Sequence, residues 1–385
     1  VAPPLGAGSP ATPENEHLSA SPVESSKEEV ATPDDAIASG LRPLRVMSLN
    51  FQYYSSYPAD ETGAQQKLRD ALCVDRPDQA PDVVAVQEGL ASRNVLDALG
   101  FDQVICSSQQ EPERVAQTVR EMVYTDPGTL KICPGQLHNE LLCNQIYLRR
   151  DSRWEVEKEG EVESKGVRKV SSDSLLNGGC GRCQGKLAVR SMVWAKLRQR
   201  GGGRAAYVMC THITGGRFED QYFVQELCEE RRKQPEACVD FFDQVQTGDD
   251  VGILVGDFNA LDDYRDDGPM HGYYVSGIAG SEGVKADAEE AGLSSPEEIE
   301  GLFKKYMVSP FKALRDRGWT FAYDQSVGIT SAFGHLIDHM ATSVPLQQEG
   351  KPEVRYLTNQ KFSKEPPDTE LVVTDHNAVV VTFLI

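Results

Sequence analysis

Acidic, amide and imidazole side chains recur in this chain beside apolar segments. Asp257 and Asn259 follow an apolar run that begins at Val251. Asp375 and His376 stand just before another apolar run, near the end of the chain. Apolar, β-branched runs of this length predict buried strands, and a rigid sheet can hold polar groups in place at strand ends. Each motif alone is more often a turn whose side chains bond the local backbone.

Four further segments show the same pattern. Their polar residues are Asn50, Glu88, His212 and Asp338. His212 has a structural alternative, because a single histidine at a strand end is more often hydrogen-bonded structure than a catalyst. Glu88 could equally belong to the start of the following helix. Six segments with the same arrangement favour one shared site over six independent structural roles.

The order and context of these segments resemble the endonuclease/exonuclease/phosphatase superfamily, which includes deoxyribonucleases, abasic-site endonucleases, neutral sphingomyelinases and inositol polyphosphate 5-phosphatases. The resemblance spans roughly residues 44 to 385, and its most specific motifs are Gly256-Asp-Phe-Asn259, Gln87-Glu88 and Asp375-His376. It implies an α+β fold, a four-layer α/β/β/α sandwich of two packed mixed β-sheets flanked by helices. It also implies an active site at one edge of the sheets.

Phosphoester hydrolysis requires a cation, an activated water and a proton source for the leaving oxygen. Glu88 is the natural metal ligand, and Asn50 and Asp375 complete a set of hard oxygen donors. Such a set suits Mg²⁺ better than zinc, with Mn²⁺ as a substitute. The resemblance implies that Asp257 and Asn259 address the attacking water and a phosphate oxygen.

Two histidines complete the expected site. We expect His376 to pair with Asp338, which would fix the imidazole tautomer and hold its positive charge against the phosphate. The alternative is that Asp338 pairs with its neighbours His335 or His339. His212 is then the second imidazole, placed for the leaving group or a non-bridging oxygen.

A small cysteine loop precedes one predicted strand. Cys180-Gly-Arg-Cys183 and Arg190 resemble the corresponding segment of pancreatic-type deoxyribonuclease, which implies that Arg190 contacts the substrate phosphate. Half of a zinc site is the alternative, although no second pair follows at finger-like spacing. The chain departs from the deoxyribonuclease pattern at 142–144, where an acid that orients the first histidine is missing. Glu140 is the nearest candidate.

Composition divides the chain into a tail and one large domain. Residues 1–42 are rich in Pro, Ser, Ala and Glu without an apolar period, which predicts a disordered tail or pro-segment. Residues 43–385 form the domain, with a helical insertion at about 262–309. The segment Ser294-Ser-Pro-Glu-Glu predicts the capped start of the helix in this insertion. Because the insertion leaves the catalytic edge, we expect it to shape substrate access, and a solvated surface helix is the alternative. A helix at 219–245 is expected to be interrupted by Pro235.

The formal net charge of −20 bears on the substrate. Nonspecific nucleic-acid binders usually show a basic stripe, and none is evident here. Acidic members of this superfamily nevertheless cut DNA, and a metal offsets local charge. A nucleic-acid phosphodiester is therefore ranked first, and a lipid (sphingomyelin) or inositol phosphate second. A catalytically inactive binding module of the same fold is a further alternative, and a monomer is expected. The Asp-rich stretch at 261–268 also allows a loose structural Ca²⁺ site.

Nine cysteines bear on the compartment. The expectation is four local bridges, which leave Cys210 as the buried odd cysteine: Cys73–Cys106, Cys133–Cys143, Cys180–Cys183 and Cys228–Cys238. Disulfides favour secretion or a vesicular lumen over the cytoplasm. No apolar run approaches the roughly 18 to 20 residues that cross a membrane.

Overall fold

A computed structural model of the chain describes residues 40–51, 61–89, 92–107, 144–163, 191–213, 225–262, 288–289, 292–331, 334–357, 374 and 376–385. The predicted tail therefore lies almost entirely outside the described residues. So do the Cys180 loop, Glu140 and most of the stretch at 262–291. No helix of the described residues is long and apolar enough to cross a membrane.

Twelve strands and four α-helices occur in the described residues. In chain order the strands are β1 (Pro43–Asn50), β2 (Val83–Gln87), β3 (Phe101–Cys106), β4 (Gln145–Arg149), β5 (Trp154–Glu163), β6 (Ser191–Gln199), β7 (Ala205–His212), β8 (Val251–Asp257), β9 (Thr320–Phe321), β10 (Asp338–Thr342), β11 (Glu353–Arg355) and β12 (Ala378–Leu384). The helices are α1 (Glu61–Ala71), α2 (Ser92–Ala98), α3 (Gln225–Val245) and α4 (Pro296–Asp316), and a 3₁₀ turn covers Gln325–Val327.

The strands form two six-stranded mixed sheets. The first has the order β11-β12-β1-β2-β4-β3, and the second has the order β5-β6-β7-β8-β10-β9. Each sheet contains one parallel pair at its centre, β1 with β2 and β7 with β8. All other neighbours are antiparallel. Polar residues at the carboxyl ends of the parallel strands are therefore brought to one edge of each sheet.

Three apolar layers hold the sandwich together. Alternate side chains of the two sheets face each other and form the central core, which includes Val46, Ile146, Val208 and Val255. The outer face of the first sheet packs under α1 and α2. The outer face of the second sheet packs under α3 and α4. The predicted four-layer sandwich is confirmed.

Helix α4 begins with the cap that its sequence predicts. Ser295 Oγ accepts a hydrogen bond from the Glu298 backbone N–H at 3.2 Å, and the Glu298 carboxylate accepts one from the Ser295 N–H at 3.0 Å. This reciprocal pair satisfies two N–H groups that have no partner inside the helix. The helix runs seven residues beyond the predicted end of the insertion at 309. It buries Phe303 and Phe311 rather than lying fully solvated.

Helix α3 differs from its prediction, because Pro235 lies inside a continuous helix. An internal proline costs roughly 3 kcal/mol by removing one hydrogen bond and crowding the preceding turn. Buried side chains beyond it, including Val239 and Phe242, pack against the second sheet. This packing offsets the cost, since most helical stability in proteins comes from tertiary contacts.

Two of the expected disulfides are wrong. Cys73 and Cys238 carry thiols, so neither Cys73–Cys106 nor Cys228–Cys238 is formed. Cys228 and Cys238 lie ten residues apart on α3, about 15 Å along its axis at 1.5 Å per residue, which no disulfide can span. The Cys106 side chain is likewise a thiol, and the Cys73 Sγ lies 3.3 Å from Arg76 Nη2. The other two pairs involve residues outside the described chain, and the argument from disulfides to secretion loses this support.

Candidate active site

The polar residues at the strand ends meet at one edge between the two sheets. Asn50 ends β1 and His212 ends β7, both at the carboxyl edge of a parallel pair. Asp257 ends β8 and pairs directly with Asp338, the first residue of the antiparallel β10. The segment that carries Asp338 continues as β10, and the antiparallel direction of this strand brings its first residue to the same edge.

Asp257 lies at the centre of the cluster. Its Oδ2 lies 3.4 Å from His212 Nε2 and 3.8 Å from His376 Nε2. The same oxygen accepts a hydrogen bond from Asn50 Nδ2 at 3.1 Å, which links the two sheets. Its Oδ1 accepts the backbone N–H of Asn259 at 2.7 Å. One buried carboxylate therefore contacts two imidazoles and is held by two amides.

The expected partner of His376 is in place. His376 Nδ1 lies 2.8 Å from Asp338 Oδ2, and the Asp338 side chain is fully buried. If Nδ1 carries a proton and donates to this carboxylate, Nε2 is the ring nitrogen that faces Asp257. The alternative partner His339 instead places Nε2 3.1 Å from the Ala260 carbonyl oxygen. Asp338 therefore pairs with His376 and not with His339.

The second histidine contacts the turn that follows β8. His212 Nε2 lies 3.0 Å from Asn259 Nδ2, which also donates to the Ile213 carbonyl at 3.1 Å. Asn259 has a φ of 48°, a left-handed conformation that asparagine adopts more readily than most residues. Position 256 of the same motif requires glycine, because a Cβ there would overlap the Thr211 carbonyl oxygen.

Glu88 lies at the rim of the cluster. Its Oε1 is 4.0 Å from His212 Nε2, and its side chain is 17% exposed, so solvent reaches it. Its φ of 52° is unusual for a glutamate. Gln145 Nε2 donates to the Gly89 carbonyl at 2.9 Å and holds this turn. Gln87, just before it, donates to Cys210 Sγ at 3.2 Å between the sheets.

Burial changes the protonation of the central acid. It is the largest cause that raises the pKa of Asp257, to about 6. Positive charge on His376 opposes this shift, the charge on Asp338 adds to it, and hydrogen bonds from Asn259 and Asn50 oppose it. A carboxyl group with this pKa is mostly ionised at pH 7 and is a stronger base than an exposed aspartate.

Sequence reasoning missed the side chains that support these groups. The Thr374 hydroxyl donates to the Asn50 carbonyl at 2.8 Å and accepts the His376 backbone N–H at 3.2 Å. The Thr330 hydroxyl accepts the Asp338 backbone N–H at 3.1 Å. Thr374 was visible in the sequence as the residue before Asp375-His376. Nothing in the sequence around Thr330 indicates its role, because its contact with Asp338 depends on how the intervening loop folds.

Two predicted site residues, Asp375 and Arg190, lie outside the described residues. The seven others all reach the same edge of the sandwich. Within the described ranges, no group of three or more His, Cys, Asp or Glu side chains is arranged to hold a metal. Of the expected calcium stretch only its first two residues are described, and Asp262 there bonds to Arg315 at 2.6 Å.

Comparison with known proteins returns no matching family model and no curated relative. Solved structures do match. An endonuclease/exonuclease/phosphatase from Bacteroides vulgatus is 14% identical, covers 89% of this chain and 98% of its own, and has a TM-score of 0.48. A mannosyl-6-phosphatase from Bacteroides thetaiotaomicron is 13% identical over 89% of this chain and 100% of its own, with a TM-score of 0.48. The human Nocturnin catalytic domain is 12% identical over 89% and 95%, with a TM-score of 0.45.

Proposed function

We propose that this protein hydrolyses phosphoesters with Mg²⁺, and that its preferred substrate is a nucleic-acid phosphodiester. The observation that carries the proposal is the buried Asp257 carboxylate within 3.8 Å of both His212 and His376. A scaffold gains nothing from three titratable groups buried together, since their desolvation costs free energy. Hydrolysis uses such a set to move protons and to stabilise charge on phosphate oxygens.

The side chains divide the chemistry among them. Asp257 accepts the proton of a water whose oxygen attacks phosphorus, and its Oδ1 is held by Asn259 so that Oδ2 faces the two imidazoles. His376, held through Nδ1 by Asp338, places Nε2 toward the phosphate. His212 stabilises a non-bridging oxygen or protonates the leaving oxygen as its bond to phosphorus breaks.

The donor set at the rim fits Mg²⁺. Glu88 and Asn50 supply a carboxylate and an amide oxygen from adjacent strand ends, and the Glu88 side chain is partly exposed. Mg²⁺ keeps several waters and needs only one or two protein carboxylates, so two residues here are enough, with Asp375 as a third. When bound, the cation would offset the charge of the phosphate. Mn²⁺ prefers the same oxygen ligands and is expected to substitute.

A lipid or inositol phosphate is the second candidate substrate. The net charge of −20 favours it, because a basic surface is what usually attracts nucleic acid. The deoxyribonuclease-like segment before Arg190 favours nucleic acid. Secretion and a monomeric state remain predictions, and nothing in the fold depends on either.

A hydrolysis panel tests the proposal. Duplex DNA, RNA, sphingomyelin and inositol phosphates are each incubated with Mg²⁺ and with chelator, and we expect metal-dependent cleavage of DNA or RNA above the others. On the best substrate, His376→Ala and Asp257→Ala should each lower kcat by about 10²-fold to 10⁴-fold. Because groups that act as a unit are not additive, the double variant should be little worse than either.

The matched control is Asp250→Ala, which removes a buried acid at the opposite end of β8 and should retain wild-type kcat in folded protein. No cleavage of any substrate by the wild-type enzyme would leave the inactive binding module as the better account. Near-normal rates for both His376→Ala and Asp257→Ala would remove the assignment of the site.

A further inference from the structure

Arg231 is a buried cation beside the turn after β8 that contains Phe258 and Asn259, which we call the catalytic turn. It belongs to Arg231-Arg232-Lys233 on α3, which in the sequence looks like an exposed basic face of a helix. Arg232 fits that description and pairs with Glu236. Arg231 does not, because its exposure is 0%. Arginine is rarely buried fully unless its donors are satisfied, so its contacts carry information.

The guanidinium group joins two segments that are far apart in the chain. Its Nη2 donates to the Asn259 carbonyl at 2.7 Å and lies 3.4 Å from the Phe258 carbonyl. Its Nε donates to the Tyr306 carbonyl of α4 at 3.1 Å, and its carbon lies 4.0 Å from the centre of the Tyr306 ring. Arg231 therefore fastens the turn after β8 to α4, a helix that begins within the predicted insertion.

The orientation of Asn259 depends on this turn. Its left-handed φ of 48° is what allows its backbone N–H to reach Asp257 while its side chain reaches His212. Such a conformation is less favourable than ordinary backbone for any residue other than glycine. A strong hydrogen bond to the Asn259 carbonyl fixes the plane of the following peptide and so stabilises the turn.

We propose that Arg231 is a positioning residue for the catalytic turn, which acts through Asn259 on Asp257 and His212. The proposal rests on the proposed phosphoesterase function. Arg231 touches no reacting atom, and its effect is transmitted by the two backbone carbonyls it holds. The same contacts give the insertion a role, since α4 supplies the other end of the bridge through Tyr306.

Lysine cannot replace arginine in this arrangement. The guanidinium presents donors from three nitrogens in a fixed plane, which allows Nε and Nη2 to point at Tyr306 and at Asn259 at the same time. A lysine at 231 would keep the charge but has a single nitrogen. Arg231→Lys therefore preserves charge and most of the side-chain volume while it breaks the bridge.

A double-mutant cycle separates positioning from general stability. We expect Arg231→Lys to lower kcat by about 10-fold to 100-fold, the scale of a misplacement near 1 Å, with KM within about 3-fold of wild type. In the Asn259→Ala background the same substitution should cost clearly less in kcat than in the wild-type background, because the route through the Asn259 side chain to His212 is gone while the backbone contact to Asp257 remains. If the full loss persisted in that background, Arg231 would not act through the Asn259 side chain.

Leu314→Ala is the stability control. It removes a buried side chain of α4 eight residues from Tyr306, about 12 Å along the helix. It should lower the unfolding midpoint at least as much as Arg231→Lys but leave kcat of the folded enzyme unchanged. A kcat loss for Leu314→Ala equal to that for Arg231→Lys would mean that stability alone explains both.

A second measurement does not depend on activity. The side-chain amide of Asn259, assigned by its disappearance in Asn259→Ala, is followed in ¹H–¹⁵N spectra of the resting protein. Arg231→Lys should shift or broaden this resonance, and Leu314→Ala should not. An unchanged Asn259 resonance would overturn the positioning role. If wild-type protein hydrolysed no substrate while Arg231→Lys shifted the Asn259 resonance as expected, only the proposed function would be overturned.

Discussion

Asp338→Asn is the sharpest perturbation of the candidate site. It keeps the shape of the side chain but removes the negative charge that faces His376 Nδ1 at 2.8 Å. The position is fully buried, and its backbone is held by Thr330 and by the Tyr323 hydroxyl, which donates to the Asp338 carbonyl at 3.0 Å. The backbone at the start of β10 should therefore keep its path, so that the change falls on the imidazole.

Two effects set the size of the loss. A hydrogen bond to a charged group is worth about 1.5–3 kcal/mol, which corresponds to about 10-fold to 150-fold in rate. The asparagine amide can also donate to Nδ1 of His376, which would move the imidazole proton to Nε2, the nitrogen that faces Asp257. In serine protease triads an equivalent Asp-to-Asn change costs about 10⁴-fold. We therefore expect kcat/KM to fall by about 10²-fold to 10⁴-fold.

The assay is kcat/KM on the best substrate of the panel, with a urea unfolding curve for each variant. Asp250→Asn is the matched control, because Asp250 is also buried and binds Lys196 at 2.8 Å. It lies seven residues from Asp257, about 23 Å along an extended strand. Weakening this ion pair should destabilise the control without changing kcat/KM. An Asp338→Asn enzyme within about 3-fold of wild type would refute the role of the pair.

Two other predictions concern metal and pH. Glu88→Gln should be rescued in part by raising Mg²⁺, because its defect is metal affinity, whereas His376→Ala should not; equal response of both variants to Mg²⁺ would contradict the ligand assignment. Burial lowers the pKa of His339 to about 4, against 6.5 for the free side chain, despite an opposing hydrogen bond to Ala260. The raised pKa of Asp257 stabilises the folded state as pH falls, whereas His339 has the opposite effect. Below pH 6.5 His339 binds a proton in the unfolded chain but not in the folded protein, so its contribution to stability falls as pH falls. Between pH 7 and 5 this loss is about 2 kcal/mol. In His339→Phe, the free energy of unfolding measured in urea should lack this loss between pH 7 and 5, although the variant should be less stable overall. The same pH dependence in the variant and in wild type would rule out His339 as its source.

Local features of this protein could be predicted because their causes lie within a few residues. The apolar runs before Asp257 and after His376 indicated buried strands, and the structure has β8 and β12 there. The cap of α4 was readable because Ser295 and Glu298 satisfy each other across one turn. The interruption expected at Pro235 was wrong, since the packing that retains this helix comes from a distant sheet.

The sequence alone determined which residue types stand at the strand ends, and therefore that carboxylates, amides and imidazoles could share one edge. Only the tertiary structure decided their partners. It placed Asp338 against His376 while His339 turned to the Ala260 carbonyl, and it buried Arg231 between α4 and the turn at Asn259. The reason is physical. Strand identity follows from local periodicity, but a hydrogen bond between residues tens to hundreds of positions apart depends on how whole sheets and helices pack, which no short stretch of sequence encodes.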